Sequence, residues 1–278
     1  HRALELGDRR APDRAGVRLR RFPGAPVVTP FLASELTRVE SDPATARFVV
    51  IPVPLERTVS FGSGTANGPA AILAASQELE RLTEGKEPCC EGIVTEDPID
   101  CTGALPDVMN RIANRTAAAV GAGKVPVTLG GEHSLSYGAV TGVQRALGRT
   151  VGVVQIDAHA DLRTAYQGER HSHASVMQLL AEEAGVRLAQ FGVRAFSAEE
   201  AGARERFGVV FRDAEELVTA QTHAVALPED FPEDVYVSFD VDGLDPSVMP
   251  ATGTPVPGGL GYYQALHLVE GALKGRRL

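Results

Sequence analysis

The chain has 278 residues, and its 27 Lys and Arg against 36 Asp and Glu give a formal charge of −9. That surplus of acid argues against nucleic acid as the main partner and mildly favours a cationic ligand, because the summed field draws positive solutes inward. A hydrophobic content of 44% with 23% charged residues excludes a disordered chain, and no apolar run approaches the ~20 residues of a membrane span.

The first segment carries Arg2, Arg9, Arg10, Arg14, Arg18, Arg20 and Arg21 among Glu5, Asp8 and Asp13. It has no apolar stretch for a secretory signal, and its acids do not suit a transit peptide. Residues 1–30 are therefore expected to be a solvated arm ahead of one catalytic domain over 31–278. RFVVIPV (47–53) reads as a strand. A Gly-rich loop follows at 57–68, and Pro69 opens a helix through about Arg81. Proline suits a first helical turn, where its missing N–H would have had no partner. Cys89, Cys90 and Cys101 are too few for a disulfide framework and badly spaced for zinc, so they read as reduced thiols of a cytoplasmic protein. A helix is expected over 106–122, a strand over 125–129, a helix over 134–147 and a strand over 151–156. There follow a helix over 174–184, a strand over 187–193, a helix over 197–206, strands at 208–211 and 234–239, and a helix over 262–274. Strands alternating with helices predict βαβ units and a parallel sheet. The strands are continuous apolar runs, as when helices cover both faces.

In open parallel sheets, ligands bind beyond the carboxyl ends of the strands. Three predicted strands deliver His or Asp there: Gly-Gly-Glu-His-Ser at 130–134, Asp-Ala-His-Ala-Asp at 157–161, and Asp-Val-Asp from Asp240 to Asp242. Alternate residues of an extended segment share a face, so Asp157, His159 and Asp161 point together, as do Asp240 and Asp242. Four crowded carboxylates would raise one another's pKa unless cations neutralise them. Oxygen and imidazole donors suit Mn(II), Mg(II) or Zn(II), and a metal pair lowers the pKa of water toward neutral. The residues thus point to a binuclear metallohydrolase. Asp245, just before Pro246, reads instead as a turn residue, and His1, His223 and His267 as isolated histidines without a metal role.

These motifs closely resemble those of the ureohydrolases, the family of arginase and agmatinase. The resemblance runs over about 46–274, through GGEHS, DAHAD, SFDVDGLDPS (238–247) and ATGTPVPGGL (251–260). It implies an α/β fold, a three-layer α/β/α sandwich around a mostly parallel sheet, in a homotrimer or homohexamer. It also implies two Mn(II) per chain. One ion would be held by His133, Asp157, Asp161 and Asp240, the other by Asp157, His159, Asp240 and Asp242, with Asp157 and Asp240 bridging. Thr254 would bind substrate. The family chemistry is attack of a hydroxide held between the ions on a guanidinium carbon, which releases urea and an amine.

The leaving amine needs a proton. The family's histidine for this lies after the DAHAD strand, where His171 and His173 are the candidates and His173 holds the matching position. Arginases place Asn after the third metal ligand and acids after a Gly-Leu-Arg strand end, to hold the amino-acid end of arginine. This chain has Asp161-Leu162-Arg163 and Gly192-Val193-Arg194-Ala195-Phe196-Ser197 instead. The resemblance is therefore to bacterial and archaeal agmatinases, with agmatine cleaved to urea and putrescine. Aminopropyl-agmatine or another guanidino compound is the alternative. A family Glu that clamps the guanidinium, on a strand beyond the Asp-Val-Asp motif, has no counterpart before Leu278. The expectation is a chain lacking the family's C-terminal strand and helix, with a non-catalytic metal-binding relative as the further alternative.

Overall fold

The computed structural model describes residues 29–278, so the arm expected over 1–30 lies outside the described residues as far as residue 28. Seven strands carry the described fold: β1 (Phe48–Val53), β2 (Ile93–Thr95), β3 (Val125–Gly130), β4 (Gly152–Ile156), β5 (Arg187–Phe191), β6 (Val210–Arg212) and β7 (Val235–Phe239). Every pairing between them is parallel. The sheet is divided in two, with order β2-β1-β3 in one part and β6-β5-β4-β7 in the other. The facing edges, β3 and β7, line one cleft of about 1770 Å³. Val125, Val127 and Leu129 line it from β3, and Val235, Val237 and Phe239 from β7. At the start of β7 the Val235 N–H donates to the Arg277 carbonyl at 2.8 Å, and the Arg277 N–H to that of Glu233 at 2.7 Å.

The helices are α1 (Gly68–Ala75), α2 (Leu105–Gly121), α3 (Leu135–Leu147), α4 (Val176–Glu183), α5 (Ala198–Phe207), α6 (Ala214–Thr219) and α7 (Tyr262–Leu273). The core is aliphatic, as a chain without Trp requires. Val49, Ile51 and Val53 of β1 pack with Val108, Met109 and Ile112 of α2. Val153 of β4 and Leu188 of β5 pack with Met177 and Leu180 of α4, while Val154 and Phe191 pack with Ala265 and Leu268 of α7. Alternate residues of β4 thus feed different clusters, which explains why its run is apolar throughout. Helices α2 and α3 approach so closely that a Cβ on Gly142 would lie 2.4 Å from the Ala113 carbonyl oxygen.

Four departures from expectation stand out. The helix from Pro69 stops at Ala75 and gives way to a 3-10 turn at Ser76–Glu78. There Ser76 Oγ accepts the Leu32 N–H, and the Gln77 amide donates to the Pro30 carbonyl, so a tertiary contact ends the helix. β5 ends at Phe191 because Gly192 turns the backbone to φ 91°, a conformation open to glycine. β2 and α6 have no counterpart among the expected elements. At three and six residues, they are too short to show a period.

Candidate active site

The carboxyl ends of β1, β3, β4 and β7 converge on one group of side chains. The Gly-Gly turn after β3 brings His133 in: a Cβ on Gly131 would sit 2.5 Å from the Leu55 carbonyl oxygen and 2.6 Å from that of Val53, so only glycine lets this turn lie on the end of β1. His133 Nδ1 then lies 2.7 Å from Asp161, 3.1 Å from Asp157 and 3.5 Å from Asp240. Its other nitrogen, Nε2, is held 2.7 Å from Ser238 Oγ on β7. His159 Nδ1 lies 3.1 Å from Asp242 and 3.5 Å from Asp157.

These contacts define two sets of donors. The ligand atoms of His133, Asp157 and Asp161 lie within 4.8 Å of one another, and so do those of Asp157, His159 and Asp242. Asp157 belongs to both. Asp240 stands beside the first set and accepts the Asp242 N–H at 3.2 Å. Asp161 adopts a left-handed backbone, φ 53°, one that Asp tolerates better than most residues. Its carbonyl accepts the N–H groups of Met177 and Gln178 as α4 begins.

The electrostatics are those of a site built for cations. Burial raises the Asp161 carboxyl to about 7, with the neighbouring Asp157 charge adding to it. Asp240 is pushed up to about 8, by burial and by Asp157 and Asp242. Burial opposes charge on His159, but Asp157 and Asp242 outweigh it and lift the imidazole to about 11. Asp157 moves the other way despite its burial, because His133 and His159 both hold it ionised. His133 Nδ1 is buried among three carboxylates and has no well-aimed hydrogen bond to any. An unpaired buried nitrogen in that setting fits a ligand position, and the His and Asp donor set fits a hard-to-borderline divalent ion.

His173 lies in a 3-10 turn at His173–Ser175 that precedes α4. Its Nε2 is 2.9 Å from Ser60 Oγ and its Nδ1 3.1 Å from Thr58 Oγ1. Burial lowers its pKa; the charges of Glu132, His133 and His159 also act on it. His171 instead packs edge-on against Tyr137, with ring centroids 5.5 Å apart, away from these hydroxyls. Thr254 Oγ1 donates to Asp242 Oδ2 at 3.1 Å, so it touches a member of the donor set. Asp245 accepts the N–H groups of Ser247, Gly258 and Gly259, as a turn residue does. His223 and His267 pair with each other, 6.1 Å between ring centroids.

Five contributors escaped the sequence. Glu132 is buried and accepts from the N–H groups of Arg57 and Thr58 and from the Thr58 and Ser134 hydroxyls. It therefore fixes the loop that carries Thr58 and Ser60 onto His173, and its oxygens are already engaged. It lies inside GGEHS beside His133, where the local sequence carries no sign of its bonds to the distant Arg57–Thr58 loop. Thr58 and Ser60 reach His173 across more than a hundred residues, a contact no local pattern signals. Ser238 was visible only as part of SFDVD. Arg194 is turned inward: it donates to the carbonyls of Asp242 and Val256, both at 2.7 Å, tying the two loops together.

The sequence profile of the arginase family matches residues 46–278. An N(1)-aminopropylagmatine ureohydrolase from Synechocystis is 37% identical over 246 residues, which cover 85% of this chain and 79% of that protein. An agmatinase from Pyrococcus horikoshii is 31% identical, over 84% of this chain and 81% of its own. Among solved structures, the agmatine ureohydrolase of Thermoplasma volcanium superposes with a TM-score of 0.73 at 28% identity, covering 89% of this chain and 84% of that one. A Trypanosoma cruzi formiminoglutamase solved with manganese shares the fold, with a TM-score of 0.74 at 22% identity over 86% and 83% of the two chains. Fold, strand-end motifs and sequence agree: the chain belongs to the arginase family.

Proposed function

We propose that the chain is a manganese-dependent ureohydrolase that cleaves N(1)-aminopropylagmatine to urea and the corresponding polyamine. The observation that carries the hydrolase reading is the pair of His and Asp donor sets that share Asp157. His133, Asp157, Asp161 and Asp240 would hold one Mn(II), and Asp157, His159, Asp240 and Asp242 the other. Bound manganese supplies Lewis acidity and brings the pKa of water toward neutral. This chain's residues do the rest. Ser238 holds His133 by Nε2, leaving Nδ1 to face the carboxylates. Thr58 and Ser60 hold the ring of His173, which carries a proton to the departing amine. Thr254 steadies Asp242 at the substrate side.

The choice of substrate gives way from agmatine to its aminopropyl derivative, because relatives of that name are more similar to this chain than the agmatinase is. Both compounds are cations without a carboxylate and suit an acidic chain. Agmatine is the second reading, supported by the Pyrococcus relative. Urea release from the Mn(II)-loaded protein tests the assignment. The aminopropyl compound should be turned over best. Arginine should be at least ~10²-fold poorer in kcat/KM, because an unpaired buried carboxylate costs several kcal/mol and about 1.4 kcal/mol is tenfold. A preference for agmatine would restore the second reading, and comparable turnover of arginine would overturn both.

Metal uptake has its own signature. The ligands must shed protons to bind, so Mn(II) competes with protons for Asp161, Asp240, His133 and His159. Affinity should rise with pH from about 6 through about 8, where the carboxyls lifted to about 7 and about 8 lose their protons, and go on rising toward about 11, where His159 gives up its own. Calorimetric titration in two buffers of different ionisation heat should show net proton release. An affinity independent of pH across that window would contradict this account of the donors.

A further inference from the structure

We propose that Gln155, Gln190 and Arg204 form a directional hydrogen-bond relay that orients the Asp157 carboxylate for metal binding, with Gln155 as its terminal positioning residue. The proposal rests on the manganese reading of the site. Gln155 lies on β4, two residues before Asp157, and its register partner on β5 is Gln190. Both are fully buried, and Arg204 on α5 is 3% exposed. Polar side chains in that position need a reason, since burying a polar group costs free energy that its hydrogen bonds must offset.

Here the bonds run in one direction. Arg204 Nε donates to Gln190 Oε1 at 2.9 Å. Gln190 Nε2 donates to Gln155 Oε1 and to the Ala160 carbonyl, both at 2.7 Å. Gln155 Nε2 donates to Asp157 Oδ2 at 2.8 Å and to the His159 carbonyl at 3.3 Å. An amide viewed alone has two orientations, but arginine offers only donors. Its presence sets Gln190 with oxygen toward α5, which sets Gln155 with oxygen toward β5, which leaves an N–H aimed at Asp157. The other Asp157 oxygen accepts the His159 N–H at 2.7 Å. Each carboxylate oxygen thus has one fixed donor, and rotation of the group is blocked.

The source of the relay is itself locked. The Arg204 guanidinium carbon lies 4.7 Å from the centroid of Phe196 and 4.5 Å from that of Phe211. Its Nη1 donates to Asp213 at 2.9 Å. A charge held between two rings and paired with a carboxylate keeps its donors in place. None of Gln155, Gln190 and Arg204 belongs to either donor set; Gln155 and Gln190 also hold the His159 and Ala160 carbonyls, and the relay requires that the effect on the metal pass through Asp157.

Gln190→Glu provides the discriminating test. It is close to isosteric and keeps a partner for Arg204, but it presents an acceptor to Gln155 and gives up the donor to the Ala160 carbonyl, a loss outside the relay that would appear as an additive effect in the double variant below. The Gln155 amide then turns its N–H to residue 190 and its oxygen to Asp157. Added negative charge alone would tighten Mn(II) binding; the relay requires it to weaken. Mn(II) titration of the metal-free full chain, followed by electron paramagnetic resonance, should give a Kd raised ~10-fold or more, the range for outer-shell partners of metal ligands. Gln155→Leu should raise Kd by about 10–100-fold, and the double variant should be no weaker than Gln155→Leu alone, because both act through one bond. Thermal unfolding of the metal-free variants separates loss of fold from loss of orientation. An unchanged or lower Kd for Gln190→Glu, or additive losses in the double variant, would overturn the relay. Failure of the unaltered chain to bind Mn(II) would overturn the metal reading and the relay with it.

Discussion

Replacing Asp157 by Asn should empty both donor sets at once and lower urea release by on the order of 10³-fold, since removing one partner from a buried charged group costs roughly 3–5 kcal/mol and about 1.4 kcal/mol is tenfold. The residue is singular for a topological reason. β4 lies between β5 and β7, so the first residue past its end has a neighbour on either side. Asp157 meets His133 from β3's end, His159 from its own loop and the Asp240–Asp242 turn after β7. Gly243 lets that turn close: a Cβ there would lie 2.8 Å from the Asp157 nitrogen. Asp242→Asn is the control. Asp242 belongs to only one set, so its loss should release one ion and spare the other. Elemental analysis after reconstitution reads both outcomes. Two Mn(II) retained by Asp157→Asn would show that the sets do not depend on their shared carboxylate.

The strands were legible because each long one is a largely apolar run, and β3, β4, β5 and β7 close on or are followed by Gly or Asp. Burial on both faces writes that pattern directly into the sequence, and for the same reason six candidate ligands stood out at the strand ends. What stayed hidden depends on contacts between distant segments. α1 is cut short by Leu32, whose backbone N–H is bonded to Ser76 forty-four residues away. Nothing between Gly68 and Arg81 announces that contact. Gln155 and Gln190 are single polar residues in otherwise apolar strands, and their meaning appears only once the register of β4 and β5 sets them side by side. The division of the sheet at β3 and β7 was equally invisible, since every strand keeps its own parallel partner on the other side.

Changing His173 to Ala should lower kcat by ~10²–10⁴-fold, the usual contribution of a positioned proton carrier, while leaving Mn(II) content unchanged. The site makes the imidazole a carrier rather than a ligand. Both ring nitrogens are engaged by hydroxyls, Thr58 on one side and Ser60 on the other, and Tyr166 meets the ring edge-on at a centroid distance of 5.3 Å. Burial lowers its pKa from the ordinary value, so near neutral pH the ring is uncharged and free to take up a proton before passing it on. Thr58 spends its one hydroxyl hydrogen on Glu132 and so accepts from Nδ1–H, whereas the Ser60 hydroxyl can donate to an unprotonated Nε2 or accept from a protonated one; the ring is held in both states and the proton is exchanged at Nε2. His171→Ala controls for simple loss of a histidine from this loop. Its ring faces Tyr137, and its removal should change kcat by less than about tenfold, a loss below the range for a positioned proton carrier. Thr58→Val should fall between the two, since it loosens the ring without removing it and also takes one partner from Glu132. Single-turnover urea release compared with metal content distinguishes these cases. If His171→Ala proved the more damaging variant at full Mn(II) occupancy, the proton would have to travel by the Tyr137 side of the loop, and the role given to His173 would fail.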